Sequence, residues 1–194
     1  MIAGIVDFKK FCPKLFFNIL FYDLNLPLLG AIVACMAEFY VALENTRSLY
    51  NVGSVLRTCS FFGVKKLFLI GYSGKRLLPN GRYEIHEKIA KTSLGSWEDV
   101  QVISFNTPEE FVTYCAGEGI TVLAVEQDAS STSVFDYKLP EQTSVLVFGN
   151  EKDGVSQVIL DASQVVLEIP RTGTHNSLNV SVACAVVVSF LGKK

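Results

Sequence analysis

Polar side chains and glycines are concentrated in three short segments of a chain that is otherwise rich in apolar residues. The segments cover residues 51–57, 148–154 and 169–181, and they contain amide, guanidinium, carboxylate and hydroxyl groups. Each segment lies at the edge of an apolar run, where a strand would give way to a helix. Because α/β proteins bind ligands at the ends of their strands, we expect the three segments to form a binding site at one edge of a sheet.

The details of these segments argue against two common kinds of site. Gly149 and Gly154 bracket four residues in the manner of a phosphate-binding loop, but Val155 stands where a P-loop nucleoside triphosphatase requires lysine. The chain also has no G-x-G-x-x-G motif after a predicted strand. His86 and His175 are its only histidines, and neither has a neighbouring set of ligand residues, so we expect no metal site.

The elements that must position the first segment are a strand and a helix. Residues 39–43 are apolar and β-favouring, and apolar residues recur at helical spacing over 52–62. Asn51 is placed to cap this helix and Gly63 to end it. Further along, Thr107 is followed by proline and two glutamates, which predicts the start of another helix.

The remaining apolar runs predict an α/β fold with a mostly parallel sheet flanked by helices. Propensity alone would make residues 179–191 a strand, but the length of this run and its polar start favour a buried helix. A short helix is predicted over residues 85–90. The other predicted strands cover residues 66–70, 100–105, 121–125, 144–148 and 165–169.

In order and spacing, the three segments resemble the three motifs of the SpoU-type RNA ribose 2′-O-methyltransferases of the SPOUT class. The resemblance covers roughly residues 39–191 and includes the stretch 90–95. It implies a SPOUT-type fold with a C-terminal trefoil knot, and S-adenosylmethionine as the cofactor. It also implies RNA as the substrate, with tRNA and rRNA both open, and a homodimer whose site is completed across the interface.

The resemblance gives roles to residues of the three segments. Arg57 matches the arginine that the family uses in catalysis, and we expect a fixed cation near the phosphate or the developing 2′-oxyanion, because guanidinium stays protonated. Asn51 would position Arg57 or the ribose, or would only cap the first helix. Glu151 would orient neighbouring polar groups. Ser177 and Asn179 would lie near the reactive groups, although Ser177 could instead cap the last helix.

The cofactor pocket implied by the resemblance combines apolar side chains with polar backbone groups. Its residues are Gly149, Ile169, Pro170, Gly173, Ser177, Leu178 and Asn179, with the backbone near Val180. At Arg171 the chain departs from the family, many members of which have methionine there. We therefore expect the pocket rim or the RNA-binding surface to differ at this position.

A non-catalytic RNA-binding or ribosome-assembly factor on the same fold is the alternative function. Retention of the polar motif residues Asn51, Arg57, Glu151, Ser177 and Asn179 argues against it. The formal net charge of −2 does not mark the whole chain as a nucleic-acid binder, so RNA would bind through a local patch. Candidates for this patch are Arg47, Arg57, Lys65, Lys66, Lys75, Arg76, Arg82 and Arg171.

Five cysteines without a C-x-x-C spacing predict reduced thiols and hence a cytoplasmic protein. Residues 1–35 form an apolar extension ahead of a methyltransferase domain over 36–194, and an upstream misread start would explain this extension. A membrane-spanning helix needs about 20 apolar residues. Asp23, Asn25 and Pro27 interrupt the extension, so we expect no membrane span. A membrane-associated form that uses the extension is a third hypothesis.

Overall fold

Strands and helices alternate along the chain, as the apolar runs predict. The computed structural model describes residues 38–77 and 83–192. The predicted extension over 1–35 lies outside the described residues, and the domain boundary at residue 36 stays a prediction. The elements are β1 (Phe39–Glu44), α1 (Leu49–Phe62), β2 (Lys66–Ile70), β3 (Lys75–Leu77), β4 (Tyr83–Ile85), α2 (Lys88–Ser93), β5 (Gln101–Phe105), α3 (Pro108–Glu118), β6 (Thr121–Val125), β7 (Thr132–Ser133), β8 (Ser144–Phe148), α4 (Gln157–Ala162), β9 (Val165–Glu168) and α5 (Val180–Leu191).

Seven of these strands form one sheet in the order β5-β2-β1-β8-β6-β9-β7, and every neighbouring pair is parallel. Strands β3 and β4 form a separate antiparallel hairpin. The centre of the sheet is deeply buried, since all five residues of β8 and all but the first of β1 are inaccessible to solvent. The predicted α/β fold with a mostly parallel sheet is therefore confirmed, whereas the C-terminal knot stays a prediction.

Helices cover both faces of the sheet because successive side chains of a strand point to opposite faces. Val41 and Leu43 of β1 belong to a core that includes buried residues of α1 and α5. Tyr40 and Ala42 belong to a second core, which includes buried residues of α3 and α4. The strands therefore read as continuous apolar runs, and their polar residues are left at the ends, where the loops begin.

Local signals placed several helix ends correctly. Thr107 accepts a hydrogen bond from the Glu110 amide at the start of α3, and Gly63 ends α1 with a φ of 74°. The predicted cap at Asn51 is wrong, because α1 begins one turn earlier with Ser48 as its N-cap. The helix predicted over 85–90 is also misplaced. Ile85 pairs with Lys75 in the hairpin, so α2 begins only at Lys88.

The last helix forms where it was predicted but is not buried all round. Asn179 is its N-cap and accepts from the Ser181 amide, so the alternative that Ser177 caps this helix is wrong. Val187 and Val188 are buried, whereas Val182 is 48% exposed. In the part of the chain that the structure describes, no helix combines the length and the apolar character needed to cross a bilayer.

Candidate functional site

The carboxyl ends of β6, β8 and β9 open onto a cavity of about 470 Å³. These strands are neighbours in a parallel sheet, so the residues that follow them meet at one edge. The cavity is lined by residues 125–127, 148–152, 154, 168–173, 175, 177, 178, 180 and 183. The second and third polar segments thus form a single site, as the sequence predicts.

The first wall of the cavity is a tight loop over residues 149–154, here called the first loop. Asn150 folds this loop, because its Oδ1 atom accepts hydrogen bonds from the amides of Lys152 and Asp153, each at 2.7 Å. The backbones of Asn150 and Gly154 also pair as an isolated bridge. A Cβ atom on Gly149 would lie 2.1 Å from the carbonyl carbon of Gly154, so only glycine allows this approach.

Two carboxylates hold the end of the first loop, and sequence reasoning missed both. Glu126, directly after β6, accepts from the Val155 amide through Oε2 at 3.0 Å. Glu44, the last residue of β1 and 1% exposed, accepts from the Ser156 amide through Oε2 at 2.9 Å. The available signal was an acidic residue at the end of an apolar strand, a position where a buried charge requires partners.

A chain of side-chain hydrogen bonds joins all three polar segments. The Asn51 amide nitrogen donates to Glu151 Oε1 at 2.7 Å, and the Asn179 amide nitrogen donates to Asn51 Oδ1 at 3.2 Å. The capping role of Asn179 leaves its amide nitrogen free for this contact, since only its Oδ1 atom accepts from Ser181. Because Ser48 caps α1, the Asn51 side chain is available to connect the first loop to the start of α5.

Arg47, just before α1, and Arg57, within α1, are both exposed on the surface. Arg57 is exposed on α1 and is not among the residues that line the cavity. A hydrogen bond with Tyr72 raises the pKa of the Arg47 guanidinium above its usual value, and the nearby charges of Asp153 and Glu151 act in the same direction. Arg47 is therefore a cation beside the first loop, whereas Arg57 faces outward.

The expected pocket residues divide into two groups. Gly149, Ile169, Pro170, Gly173, Ser177 and Leu178 line the cavity, as does Glu151. Asn51 and Asn179 lie behind Glu151 in the hydrogen-bond chain and do not line the cavity themselves. Arg171 lines the cavity and donates to Asn176 Oδ1 at 3.1 Å. The roles of all these residues in binding and catalysis stay predictions.

Comparison with known proteins places this chain within one family. The model of the SpoU rRNA Methylase family matches residues 38–189. The chain is 35% identical over 153 residues to a tRNA (guanosine(18)-2′-O)-methyltransferase of Thermus thermophilus, a match that covers 78% of this chain and 72% of that protein. The Escherichia coli protein of the same name is 29% identical, and the match covers 61% of its length. A match to the mouse tRNA (guanosine(18)-2′-O)-methyltransferase TARBP1, at 30% identity, covers only 8% of that protein.

Solved structures share the fold. The SpoU methyltransferase AviRb of Streptomyces viridochromogenes, crystallised with AdoMet, superposes with a TM-score of 0.69 at 20% identity, covering 84% of this chain and 62% of that one. The Aquifex aeolicus TrmH/SpoU tRNA modifying enzyme gives a TM-score of 0.67 at 24% identity, covering 81% and 75%. At these identities the likeness shows the fold, and the chemistry must be argued from the residues of the site.

Proposed function

The chain belongs to the SpoU rRNA Methylase family, and we propose that it transfers a methyl group from S-adenosylmethionine to a ribose 2′-hydroxyl of RNA. One observation carries the proposal. Asn51, Glu151 and Asn179 come from three distant polar segments and form one hydrogen-bond chain beside the cavity. A merely structural fold would not require two amides at the starts of α1 and α5 to converge with a carboxylate of the first loop.

The cavity fits S-adenosylmethionine in its chemistry. Phe148, Ile169 and Leu178 offer apolar surface for an adenine ring, and the first loop offers backbone polar groups next to them. The bound cofactor would supply an electrophilic methyl group on a sulfonium. The chain itself would hold that cofactor against the first loop and the residues after β9.

The remaining polar residues would act on the RNA. In-line methyl transfer requires the 2′-oxygen to be aligned with the methyl group and stabilised as it gains negative charge. Arg57 would supply a fixed positive charge for the phosphate or the oxygen. Asn51 would position the ribose, because hydrogen bonds to Glu151 and Asn179 already fix both ends of its side-chain amide.

We propose tRNA as the substrate, because the similar proteins of Thermus thermophilus and Escherichia coli are named as tRNA methyltransferases. Incubation of the full-length protein with methyl-labelled S-adenosylmethionine and separated tRNA and rRNA tests this. The label should enter tRNA and be recovered in dinucleotides that resist alkaline hydrolysis. Label in rRNA alone would change the substrate, and label in neither RNA would favour the non-catalytic RNA-binding function.

We also propose a homodimer in which a second copy covers the outer face of α1. Tyr50 and Phe61 are 75% and 82% exposed on this helix, and Arg57 lies on the same stripe at helical spacing. Val182 of α5 is a further exposed apolar side chain. Exposed aromatic patches of this kind mark interaction surfaces. In such a dimer, the Arg57 side chain, which does not line the cavity of its own chain, would approach the cavity of the second copy.

A cytoplasmic location is part of the proposal. Cys59, Cys115 and Cys184 are buried free thiols, which suits a reducing compartment. Fractionation of cells that express a tagged full-length chain should recover the protein in the cytoplasmic fraction. Recovery with membranes after a salt wash would support the membrane-associated form instead.

A further inference from the structure

Glu126 is a cavity-lining carboxylate for which the polar motifs give no role. It follows directly after β6, and both of its oxygens are fixed by the backbone. Oε1 accepts from the Gln127 amide at 2.8 Å, and Oε2 accepts from the Val155 amide at 3.0 Å. The two amides belong to different chain segments, Gln127 directly after β6 and Val155 directly after the first loop. The orientation of the carboxylate is therefore set before any ligand binds.

The fixed carboxylate keeps acceptor capacity. A carboxylate offers about four lone-pair positions, and the described contacts of Glu126 use one at each oxygen. Within residues 38–77 and 83–192, its hydrogen-bond partners are backbone amides, and no lysine or arginine forms an ion pair with it. Glu126 is therefore an anionic acceptor that is held by neutral donors and can accept further hydrogen bonds from a ligand.

The other acids of the cavity are placed differently. Glu151 accepts from the Asn51 amide and belongs to the hydrogen-bond chain of the candidate catalytic residues. Glu168 ends β9 beside the short edge strand β7, and no backbone amide fixes its carboxylate in the part of the chain described. Glu126 is the acid that is rigidly held against the first loop, since a Cβ atom on Gly154 would come within 2.3 Å of its Oε2.

We propose that Glu126 recognises the ribose of the cofactor by accepting hydrogen bonds from its 2′- and 3′-hydroxyls. This inference rests on the proposed function. The ribose is the part of S-adenosylmethionine that carries two adjacent neutral O–H donors, and a planar carboxylate with two free acceptor positions matches such a diol. Val125 and Phe148 line the same cavity as Glu126, and their apolar side chains offer surface for the adenine ring.

Binding of S-adenosylhomocysteine and of its 2′-deoxy and 3′-deoxy analogues to the full chain tests the proposal by calorimetry. The wild-type protein should bind at least one deoxy analogue about tenfold or more weakly, since a lost charge-assisted hydrogen bond leaves the carboxylate under-satisfied. Glu126→Gln should bind S-adenosylhomocysteine about tenfold more weakly and should no longer distinguish it from that analogue. The control Glu118→Gln changes an exposed acid at the end of α3, outside the cavity, and should keep the wild-type ratio between the ligands.

Two results would overturn the proposal. One is wild-type binding that is the same, within twofold, for the parent ligand and both analogues, and this result does not depend on any variant being folded. The other is a folded Glu126→Gln protein that keeps the full wild-type discrimination. Failure of the proposed function looks different, because the wild-type protein would then bind neither S-adenosylhomocysteine nor its analogues.

Discussion

The two loops that face each other across the cavity are built in opposite ways. The first loop, residues 149–154, is folded by Asn150, and the two residues that follow it are held by the carboxylates of Glu126 and Glu44. The second loop, residues 170–179, is exposed at every position. Within the described residues, its side-chain hydrogen bonds are those of Arg171 with Asn176, of His175 with the Ser177 carbonyl, and of Asn179 at its end.

This difference indicates that the two loops contribute to ligand binding in different ways. The first loop is preorganised by the sheet beneath it, so it can present backbone groups to a ligand at little cost in ordering. The second loop depends on its anchor at Asn179, and on whatever covers it, for its conformation. We therefore expect changes in the first loop to affect folding and binding together, and changes in the second loop to affect binding and turnover more than folding.

Gly149→Ala should have the largest effect, because its Cβ atom would meet the Gly154 backbone at 2.1 Å. We expect the free energy of unfolding to fall by roughly 1–3 kcal/mol and S-adenosylhomocysteine binding to become undetectable. Gly173→Ala is the matched change in the second loop, where no atom lies within 4 Å of the added carbon. Its stability should change by less than about 0.5 kcal/mol, and equal destabilisation in urea titrations would remove the distinction between the loops.

Arg57→Ala should separate binding from chemistry, because Arg57 lies outside the cavity. Affinity for S-adenosylhomocysteine should be unchanged, while the single-turnover rate of methylation should fall by about 10²–10³. Arg57→Lys should recover little, since an ammonium cannot reproduce the bidentate contact of a guanidinium. A wild-type rate in Arg57→Ala would confine this residue to a structural role on α1.

Asn179→Ala should weaken the anchor of the second loop. It removes both the cap of α5 and the hydrogen bond to Asn51, at a cost of about 0.5–2 kcal/mol for the cap. Cofactor affinity should fall as well. Ser177→Ala provides the comparison, because Ser177 lines the cavity but does not cap the helix, so turnover should fall without loss of stability. Thermal melts and calorimetry of both variants would reveal equal losses if the anchor is unimportant.

The buried thiols should show the smallest response. Burial raises the pKa of Cys59 and of Cys115 to about 12, and burial with the nearby Cys59 raises that of Cys184. These thiols are therefore protonated in the folded state at pH 8 and should resist iodoacetamide, because the thiolate is the nucleophile. Their contribution to stability is present below the unfolded thiol pKa of about 8.5 and is lost as the pH rises towards 12. Peptide mapping that finds rapid native labelling at these positions would contradict their burial.

Local sequence patterns were sufficient to predict features that depend on contacts between residues close in sequence. Gly63 and Thr107 end and begin helices through contacts within one turn, so the sequence predicts them. Ser48 and Asn51 lie one turn apart, and both residue types favour the N-cap of a helix, so local sequence does not distinguish them. In the structure Ser48 caps α1, and the Asn51 side chain binds a distant partner. That partner, Glu151, is 100 residues away, so the contact depends on the order of strands in the sheet. The same holds for Glu44, which meets Ser156 only because β1 lies beside β8.

Local sequence patterns also could not predict where Arg57 lies relative to the cavity. The motif predicts a functional role for Arg57, but α1 presents this residue together with exposed aromatic side chains, and Arg57 does not line the cavity of the same chain. We therefore propose that one chain holds the cofactor while a second chain supplies Arg57. Tyr50 and Phe61, on the same stripe of α1, would be buried in that arrangement.

Mixed dimers test this claim most directly. Arg57→Ala and Asn179→Ala chains with different affinity tags would be co-expressed, and the heterodimer isolated by two purification steps and assayed for methyl transfer. A shared site predicts about half of wild-type activity, because one of the two composite sites keeps both residues intact, whereas each parent homodimer should be nearly inactive. A verified heterodimer that is no more active than either parent would contradict the claim and place Arg57 in the site of its own chain or outside catalysis.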